Sequence, residues 1–122
     1  MALRDTMRQS AAPCLAPGEP VQAIFGAQTH SNWLLPLTGY IGFMFINRYR
    51  IVAVTPRRIL VLDAGRSGMK KAQGVVTELP RSTQLGPGKG AWHVIPVGTG
   101  KLRVHRRFYK DLAAADATAA TV

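Results

Sequence analysis

Residues 49–62, YRIVAVTPRRILVL, contain two apolar stretches separated by a polar turn. The stretches 49–54 and 59–62 are rich in β-branched residues, which favour β-strands. The turn at 55–58 starts with Thr-Pro, and proline supplies the φ angle that the second position of a type I turn requires. The segment therefore predicts a β-hairpin. Together with the other short strands and the C-terminal helix described below, it argues for a small, mainly β domain.

Four further segments have the composition of short strands bounded by glycine and proline. The last of them alternates basic and apolar side chains, which predicts one buried and one solvated face. His93 and His105 lie in the last two predicted strands and could meet across the sheet. The four segments are 21–25, 75–79, 91–95 and 101–105.

Apolar residues at helical spacing predict a short amphipathic helix within residues 1–16 and a second helix at the end of the chain. The length of 122 residues argues for a single domain, which we place at 17–118, with an N-terminal extension 1–16 and a frayed tail 119–122. The two apolar stripes are Leu3, Met7, Ala11 and Leu15, and Phe108, Leu112, Ala115 and Ala119.

This layout resembles the bacterial pleckstrin-homology-like (PH-like) domain, in particular small actinobacterial members of that group. The resemblance is carried by Gly18-Glu19 before the first strand and by the hairpin 49–62, in which a strand ends in Thr before a turn with Arg. It implies an antiparallel β-sandwich or partly open barrel capped by a C-terminal helix. It also implies a binding or scaffolding module that performs no chemistry.

The charge of the chain favours anionic partners. Sixteen Lys and Arg against six Asp and Glu give a formal charge of +10 at pH 7. Such a chain is attracted to anionic lipid headgroups or to nucleic acid. Nucleic acid is the less favoured partner, because the sequence shows neither the basic-aromatic strand pattern of RNA-recognition motifs nor a recognition helix.

The sequence offers no arrangement typical of an enzyme or a cofactor site. Its three histidines do not form a metal-ligand pair, and its single cysteine, Cys14, has no neighbouring base. The glycine-rich loop 86–90 lacks the first Gly and the Ser or Thr of a phosphate-binding loop. We therefore predict a non-enzymatic protein without metal or cofactor, in the cytoplasm and able to associate with a membrane.

The apolar insertion at 33–46 is the strongest functional signal. As a helix it would extend ~21 Å, short of the ~30 Å hydrocarbon core of a bilayer. Three interpretations remain open: a core segment, a loop or hairpin that enters the membrane interface, and a contact surface for a partner protein or for self-association. The predicted membrane or partner contacts are Trp33, Leu34, Leu35, Tyr40, Phe43 and Phe45.

Arginines close to this insertion and in the hairpin turn are the predicted contacts for an anionic ligand. Arg48 and Arg50 follow the insertion, where they could meet lipid phosphates, and Arg57 and Arg58 occupy the turn. The resulting hypothesis is a peripheral membrane module. The alternative is a protein-interaction or self-association domain that uses the same apolar surface.

Overall fold

The computed structural model describes residues 3–29, 39, 48–65, 71–86, 88, 90, 92–97 and 100–119. Within them lie two α-helices, α1 (Leu3–Ala11) and α2 (Tyr109–Ala119), and two 3-10 turns, Ala12–Cys14 and Arg106–Phe108. The strands are β1 (Ala23–Gln28), β2 (Tyr49–Val54), β3 (Arg58–Gly65), β4 (Gly74–Pro80), β5 (Trp92–Val97) and β6 (Gly100–His105).

The strands form one antiparallel sheet in the order β4-β3-β2-β1-β6-β5. The sheet curls into a half-barrel, with a short helix at each end of the chain. The predicted mainly β fold with a C-terminal helix and a short N-terminal helix is confirmed. Of the two architectures left open, the single curled sheet is the partly open barrel.

The predicted hairpin is present as β2 and β3. Val54 lies opposite Ile59, and the Thr55 N–H donates to the Arg58 carbonyl at 2.9 Å. The Thr55 hydroxyl oxygen also accepts from the backbone N–H groups of Arg57 and Arg58, both at 3.3 Å. Thr55 thus stabilises the turn, because its side chain hydrogen-bonds backbone groups that have left the regular strand pairing.

Strand β1 lies further along the chain than its sequence pattern indicated. The predicted segment was 21–25, whereas the strand covers Ala23–Gln28. Each of its six residues is paired with one residue of β2, from Ala23 opposite Val54 to Gln28 opposite Tyr49. The length of β2 therefore sets the extent of β1, although Gly26 has low intrinsic strand propensity.

The last hairpin differs from the prediction in two respects. Strand β5 continues through Pro96 to Val97, which is possible because β5 is the edge of the sheet, where a missing N–H is tolerated. The prediction that His93 and His105 could meet is wrong. His93 lies opposite Val104 and His105 opposite Trp92, so the two imidazoles are on opposite faces.

Both predicted apolar stripes pack into the core. Met7 and Ala11 of α1 are fully buried, and α1 contacts β1 and β2. Phe108, Leu112 and Ala115 are buried where α2 packs on β1. The strands β1, β2 and β3 are buried on both faces over most of their length, so the sheet centre supplies most of the hydrophobic core.

Candidate functional site

The apolar insertion lies in the connection between β1 and β2. The ends of this connection are tied together: the Thr29 N–H donates to the Arg48 carbonyl at 2.9 Å, and the Arg48 N–H donates to the Thr29 hydroxyl at 3.0 Å. The described residues on either side of the 18-residue stretch 30–47 are therefore hydrogen-bonded to each other. Trp33, Leu34, Leu35, Tyr40, Phe43 and Phe45 lie outside the described residues.

Three connections share this end of the sheet. Because all strand pairs are antiparallel, the strand ends that flank three connections lie at the same end of the sheet. These are the β1–β2 connection (30–47), the β3–β4 connection (66–73) and the β5–β6 connection (98–99). We call this end of the sheet the loop end. The β2–β3 turn at 55–58 lies at the opposite end, about 20 Å away for a six-residue strand.

Basic side chains gather at the loop end. Arg48 is half-buried beside the connection, Lys71 is exposed within the β3–β4 connection, and Lys101 is exposed as the second residue of β6. Arg103 pairs with Gln28, the last residue of β1, and its Nε is buried with no hydrogen-bond partner. Arg50 also lies here, but its Nη1 is 2.7 Å from the Asp63 carboxylate.

The acidic residues are concentrated elsewhere. Asp63 of β3 lies near the loop end, where its carboxylate is paired with Arg50. The ion pairs found within the described residues involve Arg4, Arg50 and Arg58. The loop end is consequently a positive surface. The other acids are Asp5, Glu19, Glu78, Asp111 and Asp116, on the helices or at the opposite end.

The two arginines of the β2–β3 turn have different environments. Arg57 is exposed, whereas the Arg58 side chain is 27% exposed and forms a bidentate pair with Glu19, with Nε and Nη2 at 3.0 and 2.9 Å from the carboxylate. Glu78 adds a longer contact to Arg58 at 3.6 Å. The four arginines predicted to contact an anionic ligand are thus divided between two ends of the sheet, and two of them are paired with carboxylates.

The Glu19 carboxylate is the most constrained charged group in the described residues. Besides Arg58, it accepts from the Thr55 hydroxyl at 2.7 Å and from the Ala16 N–H at 2.9 Å, and its side chain is 1% exposed. Hydrogen bonding from Arg58, reinforced by the Ala16 and Thr55 donors, lowers the pKa of Glu19 to about 2 against the opposing effect of burial. The contacts of Glu19 with Ala16, Thr55 and Arg58 therefore stabilise the fold at this end of the sheet.

The β5–β6 hairpin presents a basic and aromatic face next to the loop end. One face carries Ile95, Leu102 and Val104, which are buried in the core. The other carries three cross-strand pairs, each of a base and an apolar residue. These pairs are Trp92–His105, Val94–Arg103 and Pro96–Lys101. Alternation in the sequence indicated this face for β6, but the apolar partners became visible only with the register.

The described residues contain no group of three or more metal-ligand side chains. None of their helices has the length and apolar character needed to cross a bilayer.

Comparisons with known proteins provide no family assignment. No family model, curated protein or solved structure matches this chain.

Proposed function

We propose that this protein is a non-enzymatic, PH-like binding module on the cytoplasmic side that associates with an anionic membrane surface through its loop end. The observation that supports the proposal is the position of the apolar connection. Residues 30–47 start and end at Thr29 and Arg48, on the end of the sheet where unneutralised bases gather.

The two parts of this surface complement each other. The connection contains Trp33 and Tyr40, residue types enriched in the interfacial layer of membranes. Basic residues near an anionic bilayer contribute about 1 kcal/mol each, and an inserted large apolar side chain contributes about 1.5–3 kcal/mol. Neither alone gives strong adhesion, but together they support reversible binding.

Vesicle flotation tests the proposal. The protein is mixed with vesicles of phosphatidylcholine alone or of phosphatidylcholine with phosphatidylglycerol. We expect flotation only with the anionic vesicles and a decrease at high salt, since screening weakens the contribution of the bases. The double substitution Phe43→Ser/Phe45→Ser should abolish flotation while circular dichroism shows the native content of strands.

The matched control replaces two apolar side chains on an exposed part of strand β4. Val75→Ser/Val76→Ser acts on strand β4, where these side chains are 54% and 49% exposed. It should leave flotation unchanged. Absence of wild-type flotation on anionic vesicles, or equal loss in both double variants, contradicts the proposal.

The same variants address the alternative of a protein-interaction module. If light scattering shows a dimer of the wild type that Phe43→Ser/Phe45→Ser dissociates, and no vesicles float, the apolar connection is a contact for a second copy. Salt-sensitive binding to RNA or DNA without flotation would instead favour nucleic acid.

A further inference from the structure

A cleft of about 250 Å³ lies where strands β1 and β6 separate. The two strands pair at Gln28 and Arg103, and continued pairing would place His105 opposite Gly26. The pairing stops before that point, and both residues line the cleft. The other described residues of the lining are Ala27, Gln28, Tyr49, Trp92, Arg107 and Phe108.

A hydrogen bond determines which nitrogen of His105 can act as a donor. Its Nδ1 accepts from the backbone N–H of Arg107 at 3.2 Å, at the start of the 3-10 turn Arg106–Phe108. A neutral imidazole whose Nδ1 accepts carries its proton on Nε2. The neutral form of His105, a residue that lines the cleft, therefore carries its N–H donor at Nε2.

Aromatic rings contact both basic side chains of the cleft, His105 and Arg107. The Trp92 ring meets the His105 ring edge to face, with centroids 5.0 Å apart and an interplanar angle of 75°. The Arg107 guanidinium lies over the Phe108 ring, 4.8 Å from its centroid. Packing of this kind restricts the rotamers of both polar side chains and prepares them for a ligand.

The side chains that line the cleft favour an anionic ligand. His105, Trp92 and Tyr49 carry N–H or O–H donors, Arg107 adds a positive charge, and the described lining contains no acidic residue. Arginine and imidazole donors of this kind recognise phosphate oxygens. The volume is below the about 300 Å³ at which sites for drug-sized molecules begin, so it suits a headgroup-sized ligand.

We propose that this cleft binds a phosphate monoester, with the phosphate against His105 and Arg107 and the organic part of the ligand beside Trp92. The ligand could be a free metabolite or the headgroup of a lipid, since the phosphate is common to both. The proposal is independent of membrane insertion by the apolar connection.

Trp92 fluorescence provides the test. The chain has two tryptophans, so Trp33→Phe leaves Trp92 as the one reporter. The probes are glycerol 3-phosphate and glycerol in solution, and vesicles of phosphatidylcholine with and without phosphatidic acid. We expect a saturable change with glycerol 3-phosphate and none with glycerol. An added response to phosphatidic acid vesicles identifies a lipid source, and its absence identifies a soluble one.

Neighbouring arginines provide a matched pair of variants. Arg107→Ala, in the cleft, should weaken glycerol 3-phosphate binding about tenfold or more, because a charge-assisted contact is lost. Arg106→Ala removes the same charge from an exposed position outside the lining and should have little effect. Absence of a saturable response, or equal weakening by both variants, overturns the proposal. Either result leaves the flotation test of membrane association unaffected.

Discussion

The Glu19 carboxylate connects three segments that are distant in the sequence. It accepts hydrogen bonds from Ala16 before β1, from Thr55 at the end of β2, and from Arg58 at the start of β3. A buried carboxylate is stable only when such donors replace water. Glu19 therefore anchors the β2–β3 turn to the segment that precedes the sheet.

The depressed pKa of Glu19 predicts a loss of stability in acid. Its pKa is about 2 when folded and near 4.5 when unfolded. Between these values the unfolded chain binds more protons than the folded one, so the contribution of Glu19, complete above about pH 4.5, is lost as the pH falls toward 2. Urea unfolding of wild type and Glu19→Gln at several pH values measures this difference.

We expect Glu19→Gln to lower the free energy of unfolding by about 1–3 kcal/mol at pH 7, since a buried charged hydrogen-bond acceptor is lost. The two proteins should converge toward pH 2. Glu78→Gln is the control, because that carboxylate is 53% exposed and 3.6 Å from Arg58, and its effect should be small. A constant difference between Glu19→Gln and wild type from pH 7 to pH 2 would contradict the assigned pKa.

Among the secondary-structure elements, helix α1 combines an amphipathic pattern with a buried apolar face. Met7 and Ala11 are fully buried against the sheet, while Arg8 and Gln9 are exposed. Its Arg4 also pairs with Asp111 of α2 at 2.7 Å. The apolar side of this helix is engaged within the domain and is not available to a membrane.

This burial predicts that Met7→Ala affects stability and not vesicle binding. Deleting a fully buried methionine side chain should lower the free energy of unfolding by about 2–5 kcal/mol. Flotation of the remaining folded protein should match the wild type, and Gln9→Ala on the exposed face should change neither quantity. Chemical unfolding and flotation at one temperature give both results. Loss of flotation by a stably folded Met7→Ala protein would assign α1 to the membrane contact.

The two edge strands have features that oppose pairing with a second chain. Strand β4 contains a bulge, because Val61 lies opposite Thr77 and Leu62 opposite Val75, which leaves Val76 without a cross-strand partner. Strand β5 contains Pro96, which has no N–H to donate. Bulges and prolines at sheet edges disfavour edge-to-edge association. These two edges therefore disfavour self-association by strand pairing.

At the scale of the whole molecule, the acidic residues are unevenly placed, so the two ends of the sheet differ in charge. The loop end carries Arg48, Lys71, Lys101 and Arg103, whereas the opposite end carries Glu19 and Glu78 beside Arg57 and Arg58. A flat anionic surface can contact only one of these ends at a time. The proposed orientation places the loop end on the membrane.

This orientation predicts different effects of the same charge reversal at the two ends. Arg48→Glu should weaken binding to anionic vesicles by about tenfold or more, because reversing one charge near the surface removes the contribution of about two basic residues. Arg57→Glu changes the net charge equally, from an exposed position, and should have a much smaller effect. Equal weakening would show attraction by total charge alone, and a larger effect of Arg57→Glu would reverse the orientation.

Local sequence patterns predicted the helices, the β2–β3 hairpin and the mainly β class. These features depend on residues that are neighbours in the chain, such as the β-branched stretches and the Thr-Pro turn at 55–58. The boundaries of β1 and β5 were less predictable. The first depends on the length of its partner strand, and the second on a position at the sheet edge that tolerates Pro96.

The sequence by itself determined the excess of positive charge, the strand and helix patterns, and the presence of an apolar insertion before Arg48. Only the tertiary structure decided which charges are neutralised. Arg58 meets Glu19 across 39 positions and Arg4 meets Asp111 across 107, whereas Arg48 and Arg57, equally basic in sequence, lie at opposite ends of the sheet. Charge pairing depends on distance in space, and folding alone brings such distant residues together.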